Sequence, residues 1–351
     1  MSRFLQLHIL THYPPSNLNR DDLNRPKTAF MGGEQRLRVS SQSLKRAWRT
    51  SELFQEALKG HIGTRTKEMG RRVFERLVEG GVKEKQATEW ARQIAGVFGK
   101  IKGPKDPHPL DIEQLAHFTP QEQEAVFKLA DRLAAEGRSP SQDELQLLRR
   151  NDRAVDIALF GRMLAAAPRY NSEAAVQVAH AVTVNRVVLE EDFFTAVDDL
   201  NPGEEDVGAG HMGELEFGSG TFYLYICCDC RLLSDNLGGD RDLAGRSLGA
   251  LVEAAATVGP TGKQNSFASR AYASYIMAER GERKPRSLAW SFIPAVNDFD
   301  QVRGAINRLK ETRDRMDQVY GPLAEAQMEL DAAAGKGSLQ QIVSFCREAC
   351  S

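Results

Sequence analysis

Between Arg36 and Arg49 the chain reads RLRVSSQSLKRAWR, a stretch whose cations and hydroxyls are spaced to hold an anion. Arg36, Leu37, Arg38 and Val39 alternate polar and apolar, as a half-buried strand does. Ser40 and Ser41 then offer N-cap hydroxyls to a run of good helix formers. On that helix Gln42, Lys45, Arg46 and Arg49 share one face at spacings of three and four. Leu44, Ala47, Trp48, Phe54 and Leu58 fall on the opposite face. The amides and positive dipole end at Ser40–Gln42 thus stand beside a row of cations that includes Arg38. A row suits a phosphodiester backbone better than a single phosphate. The competing reading is a solvated basic helix face. Charge placement weighs against it: the first fifty residues hold nine Lys or Arg against three acids, whereas the whole chain has 46 basic and 48 acidic residues. That distribution argues for a defined groove and against a general nucleic-acid glue.

Other chemistries have less support. Asp21-Asp22 and Asp198-Asp199 are paired carboxylates of the kind a metal-dependent nuclease gathers. Neighbours in an extended loop point apart, however, and nothing in the sequence ties the two pairs together. Gly259–Asn265, GPTGKQN, superficially resembles a phosphate-binding loop but lacks the Gly-Lys-Ser/Thr ending, which argues against nucleotide hydrolysis. His8, His12, His180 and His211 have no Ser or Cys nucleophile at recognisable spacing, so acyl transfer has no support. Cys227, Cys228 and Cys230 lie in the strand-like FYLYICCDC, and Cys346 and Cys350 are one helical turn apart. The spacing is wrong for a zinc ribbon and no His adjoins either group, so reduced, mostly buried thiols are expected and no metal or cofactor. No apolar run approaches a membrane span and residues 1–20 lack a signal-peptide layout, which makes a cytoplasmic protein the expectation.

These residues need elements to position them. Phe4–Leu10 alternates like a first strand. Thr11–Gly33 is long, polar and rich in Pro, Asn and Arg, so it is expected to be functional or mobile rather than packed. Gly60–Asn151 reads as helices, over Thr66–Glu79, Glu84–Phe98 and Thr119–Glu136. The last opens with the capping box Thr119-Pro120-Gln121-Glu122, and Ser141-x-x-Glu144 repeats the device. Strands are predicted at Ala154–Phe160, Ala175–Val184, Phe222–Cys228 and Ala271–Ala278, with a helix at about Asp242–Thr257. Two helices separated by strands around one sheet give an α+β, ferredoxin-like arrangement with insertions. Asn201–Gly220 is Gly-rich with little apolar content and needs a partner surface. The chain has no internal repeat, so any repetition must come from copies of the whole subunit.

Seven collinear blocks resemble the CasC family, the repeated CRISPR-RNA-binding backbone of the type I-E Cascade complex. The first, from Leu18, is LNRDDLNRPKTAFMGGEQRLRVSSQSLKRAWR. VDIALFGRM (Val155–Met163), AHAVT (Ala179–Thr183) and FTAVDDL (Phe194–Leu200) follow. EFGSGTFYLY (Glu216–Tyr225), NLGG (Asn236–Gly239) and GKQNSFA (Gly262–Ala268) complete the series. The resemblance implies an RNA-recognition-motif-like palm from residues 1–59 and 152–295 and helical fingers at 60–151. It also implies a β-hairpin thumb at about Glu190–Phe222, and the tail at 296–351, where no motif matches, is expected to form C-terminal helices. The implied function is a non-catalytic backbone subunit that assembles head-to-tail along CRISPR RNA and presents it to target DNA. Its neighbours would be CasA-, CasB-, CasD- and CasE-type subunits. Arg20, Lys27, Ser40, Gln42, Lys45 and Arg49 are the positions the resemblance assigns to guide phosphates and sugars, with Lys263, Gln264 and Asn265 at a further phosphate. Arg162 and Met163 end a segment in which Met163 is the candidate base wedge, with Phe194 and Leu200 on the thumb side. The enzymatic alternative is a metal-dependent RNA endonuclease of the type III backbone kind, using a loop aspartate.

Overall fold

The computed structural model describes residues 2–148, 153–164, 167–196 and 211–351. They fall into two compact units, one of Met1–Phe54, Val178–Cys228 and Leu248–Ala349, the other of Gln55–Gln177, Asp229–Ser247 and the last two residues. The first unit is built on a sheet whose strands are β1 (Phe4–Ser16), β2 (Thr28–Met31), β3 (Glu34–Val39), β4 (Ala181–Thr183), β5 (Glu190–Ala196), β6 (His211–Asp229), β7 (Tyr275–Gly281) and β8 (Ala326–Asp331). Their order is β8-β7-β1-β6-β4-β3-β2, with β5 paired to β6 alone. The pairings β1–β7, β7–β8, β2–β3, β3–β4, β4–β6 and β5–β6 are antiparallel. Helices α1 (Ser41–Arg49), α2 (Arg241–Thr257), α3 (Gln301–Tyr320) and α4 (Leu339–Arg347) accompany it.

From Leu5 to Leu10 every residue of β1 is buried, so the alternation separates two covered faces rather than core from solvent. Leu10 joins Tyr275, Met277, Phe292, Ile306 and Leu309 in one apolar cluster. The same face carries Gln6 and His8, and the polar groups there form a closed network. The Tyr223 hydroxyl donates to His8 Nδ1 (2.8 Å), and His8 Nε2–H donates to Glu279 (3.3 Å). Glu279 is also forked by Arg286, and Gln6 Oε1 accepts from the Tyr225 hydroxyl and the Arg286 amide, both at 2.8 Å.

Burial pushes the His8 pKa down, outweighing the attraction of Glu279. Burial alone would raise the Glu279 carboxyl, but hydrogen bonds from His8 and Arg286 hold it at about 2. Both shifts make the unfolded chain bind more protons than the folded one, so stability falls with falling pH. The His8 contribution is lost as pH drops below about 6.5, and the Glu279 contribution as it drops from about 4.5 toward 2. Urea midpoints measured from pH 8 to 3 are expected to decline in those two stages. His8→Gln is expected to flatten the first stage and to shrink the second, which Arg286 still supports.

The second unit is mostly helical. Helices Met69–Glu79, Glu84–Gly96 and Pro120–Glu136 enclose a core that includes Met69, Leu77, Trp90, Phe118 and Leu133. Thr119 and Glu122 form the expected reciprocal capping box. Several expectations need correction. Val155–Phe160 is a helix, not a strand. Val155 to Leu159 are all buried, and a short, uniformly buried run has no periodicity to separate the two forms. Ser141 and Glu144 make their capping bonds (2.8 and 3.4 Å), but the chain there forms only turns. Arg138 forks the Glu144 carboxylate at 2.8 Å, and so short a segment cannot repay helix nucleation. The tail beyond residue 295 holds helices α3 and α4 and also strand β8, which extends the sheet. The Ala175–Val184 strand is broken at Ala179–His180, and the Ala271–Ala278 strand lies instead at Tyr275–Gly281.

Candidate nucleic-acid interface

The segment Thr11–Gly33, expected to be functional or mobile rather than packed, is tied down at Asn19. β1 runs on to Ser16, and Asn17 and Leu18 are buried. The Asn19 carbonyl accepts from Lys27 N–H (2.8 Å) while its side-chain oxygen accepts from Ser40 N–H (2.9 Å). The Lys27 carbonyl in turn accepts from Arg38 N–H (2.8 Å). One asparagine therefore draws Lys27, Arg38 and the start of α1 to one place. Between them a bridge pairs Arg20 with Pro26, and Asp21 Oδ1 accepts from the Leu23 and Arg25 amides, each at 2.9 Å. The Asp21 carboxyl is held below its usual range chiefly by the Arg25 amide. Arg20 stays exposed, with Nη1 3.4 Å from Asn24 Oδ1.

Ser40 caps α1 as predicted, its hydroxyl accepting from Ser43 N–H at 3.3 Å, and it is buried in doing so. Leu44, Trp48 and Phe54 are buried below the helix, and Trp48 Nε1 donates to the Val258 carbonyl (3.2 Å). Gln42 and Arg46 face solvent, whereas Lys45 and Arg49 are half-buried. Arg46 and Arg49 occupy the last turn, where the helix dipole favours cations in any case. Lys45, nearer the cap, has its pKa lowered by burial. Arg38 Nη1 donates to His180 Nδ1 (2.9 Å), which leaves the imidazole proton on Nε2. The His180 pKa is pushed down, first by desolvation and then by the charges of Arg38, Lys27 and Lys45. Four nitrogen-bearing side chains thus share one small region.

A second loop docks beside them. A Cβ on Gly262 would lie 2.4 Å from the Leu18 carbonyl, so the absence of a side chain lets this loop seat against residues 17 and 18. Lys263 follows in the left-handed conformation (φ 50°) and is half-buried. Gln264 Nε2 donates to the Pro260 carbonyl (3.1 Å), its Oε1 is buried with no partner, and Asn265 is exposed. Phe267, at the end of this short helix, packs on Phe217 of β6 with centroids 5.6 Å apart.

β5 and β6 pair antiparallel in register from Glu190↔Phe217 to Ala196↔His211. Phe193 and Phe194 are exposed on β5. Leu200 and Asp198-Asp199 lie outside the described residues. Arg162 and Met163 belong to the second unit. Met163 is 79% exposed, but the Arg162 side chain is only 2% exposed and ion-paired with Glu122 at 2.6 Å. Arg162, expected beside Met163 among the RNA-binding residues, instead has its guanidinium committed inside the unit.

The sequence profile of the CT1975-like protein family matches residues 5–344. The chain belongs to the CT1975-like protein family. It is similar to a solved chain described as "CRISPR RNA-guided surveillance complex, pre-nicking", with 31% identity and a TM-score of 0.84 over 99% of this chain and 100% of that one. A chain of a "CRISPR RNA-guided surveillance complex" matches at 25% identity and TM-score 0.75, again over 99% and 100%. No protein of curated function matches.

In this CT1975-like chain, three contributors to the site escaped sequence reasoning. Asn19 and His180 lie inside blocks that carried the resemblance, but only the fold shows what they touch. Arg36, read from the sequence only as the polar start of a half-buried strand, is fully buried and donates to the carbonyls of Thr183, Val184, Met31, Phe292 and Ile293. Gly32 (φ 63°) permits that arrangement, because a Cβ there would strike the Ile293 carbonyl. Among the described residues no helix is long and apolar enough to cross a membrane.

Proposed function

We propose that the chain is a non-catalytic backbone subunit that binds CRISPR RNA in a surveillance complex of the type I-E Cascade kind. The observation that carries this reading is the convergence of Lys27, Arg38, Lys45 and His180, with the Lys263 loop seated on Leu18. The first unit would act as an RNA-recognition-motif-like palm, the helices of the second as fingers, and the β5–β6 hairpin as a thumb. Lys27, Arg38 and Lys45 form a rail for phosphates, and Arg20, Gln42, Arg49, Lys263 and Asn265 extend it. Ser40 and Gln264 serve mainly to shape it, although the unpartnered Gln264 oxygen suits a ribose hydroxyl. Phosphate contacts position the guide, leave base edges free and delegate sequence choice to pairing with target DNA. Copies would assemble head-to-tail along the guide, since heterologous contacts that do not close generate a helix. Met163 and Phe194 would sit where one copy's segment of guide meets the next.

Expression with a CRISPR array tests this: the purified protein is expected to carry RNA of one repeat-derived length, intact after incubation with magnesium or manganese. Asp21→Ala is expected to leave that integrity unchanged, because the carboxylate is already spent on the Leu23 and Arg25 amides. Metal-dependent cutting of a complementary RNA, abolished by Asp21→Ala, would instead make the protein a nuclease.

A further inference from the structure

Met163 is presented by a construction unlike that of a chance exposed methionine. Three successive residues alternate sharply: Arg162 is buried, Met163 is 79% exposed and Leu164 is 3% exposed. Arg162 exchanges both backbone bonds with Ser172, each at 3.0 Å, and Leu164 N–H donates to Asn171 Oδ1 at 2.7 Å. Met163 is therefore held between two fixed neighbours. Beneath it the Arg162 guanidinium donates to Glu122 Oε2 (2.6 Å), to the His117 carbonyl (3.2 Å) and to the Tyr170 carbonyl (3.2 Å). Glu122 Oε2 also accepts from Thr119 N–H at 3.0 Å, so the same carboxylate caps the helix Pro120–Glu136. His117 is itself braced, with Nε2 2.7 Å from buried Asp156, whose other oxygen accepts from Gly63 N–H at 2.8 Å.

We propose that the buried Arg162–Glu122 pair is a positioning device that registers Met163 to the helix Pro120–Glu136. Through it, a flexible thioether side chain becomes a wedge of fixed placement. This rests on the reading of Met163 as the residue that displaces a guide base. Burying a guanidinium and a carboxylate brings little net stability, because desolvation offsets their attraction and apolar residues of similar volume would fill the space as well. What the pair supplies is geometry. The planar fork meets one carboxylate and two carbonyls at once, which an ammonium on a flexible stem cannot do. A methionine has three rotatable bonds, so a wedge built on it is only as well placed as the backbone beneath it.

The test uses the full chain assembled on guide RNAs that carry 2-aminopurine at one position at a time. Its fluorescence rises where a base is unstacked, and wild type is expected to be bright at regularly spaced positions. Met163→Ala is expected to extinguish those maxima. Arg162→Lys, and separately Arg162→Met combined with Glu122→Gln, are expected to keep guide affinity within about threefold, as distant independent sites do. Both are expected to lower the maxima by about half and spread the signal to adjacent positions. The double variant is the safeguard for folding, since it replaces the ion pair by neutral side chains of similar size, and its glutamine still accepts from Thr119 N–H. Unchanged maxima in folded clamp variants, with Met163→Ala dark, would overturn the positioning role alone. Unchanged maxima in Met163→Ala would remove the wedge reading and the positioning role with it.

Discussion

Arg38→Glu combined with Lys45→Glu is expected to weaken guide binding by about two orders of magnitude or more at low salt. Each hydrogen bond from a cation to a phosphate is worth about 1.5–3 kcal/mol net, and reversal adds repulsion to that loss. The loss is expected to be alike for unrelated guides, because the contacts read backbone and not bases. The slope of log affinity against log salt is expected to flatten by about 0.7 for each phosphate contact removed from a single strand. Filter binding across a salt series gives both quantities. An unchanged slope would move the RNA path away from Lys27, Arg38 and Lys45. The paired control is Arg46→Glu, which reverses an exposed charge in the last turn of α1 and is expected to have a much smaller effect.

Arg36→Met is expected to cost about 3–5 kcal/mol of stability, more than any rail substitution. It strands several carbonyl oxygens whose donor is gone, each worth about 1–3 kcal/mol if left buried and unpaired. Those oxygens come from Met31, from Thr183 and Val184, and from Phe292 and Ile293, so a single side chain closes three separated stretches of chain around the β2–β3 turn. A guide-binding defect in this variant is expected to follow its unfolding. Chemical denaturation separates the two cases. A variant as stable as wild type would mean that water replaces the guanidinium, and the corner would then be solvent-accessible.

The residues that were legible in sequence are those whose partners are local. Ser40 caps α1 by accepting from the amide three residues on, Thr119 and Glu122 cap each other, and the face formed by Leu44 and Trp48 follows from helical spacing. Arg36, Arg38 and Lys45 look alike in sequence, and only long-range contacts sort them. The first is buried among carbonyls most of which lie more than a hundred residues away, the second meets His180, and the third lies partly buried on α1. Arg162 was misread for the same reason, since its carboxylate lies forty residues upstream. The helix Val155–Phe160 was misread for a different one: burial all round erases the periodic signal. Ser141–Glu144 carries the right local bonds and still forms only turns, with Arg138 forking the same carboxylate while Leu145, Leu147 and Leu148 pack on the core of the second unit.

The nineteen-residue strand β6 is at once a central member of the sheet and one leg of the hairpin. That continuity restricts how the hairpin can be lengthened or shortened over evolutionary time or by engineering. An insertion of a single residue in one leg would turn every side chain beyond it to the opposite face. Length therefore changes without penalty only by two residues at once, matched on both legs, which moves the tip in steps of about 7 Å. If the hairpin reaches over a polymer bound by the subunit, the spacing it can enforce along that polymer is drawn from a discrete ladder of lengths. Intermediate reaches would have to be made by bulges, at the expense of the ladder bonds that now join Glu190 to Phe217 and the pairs beyond.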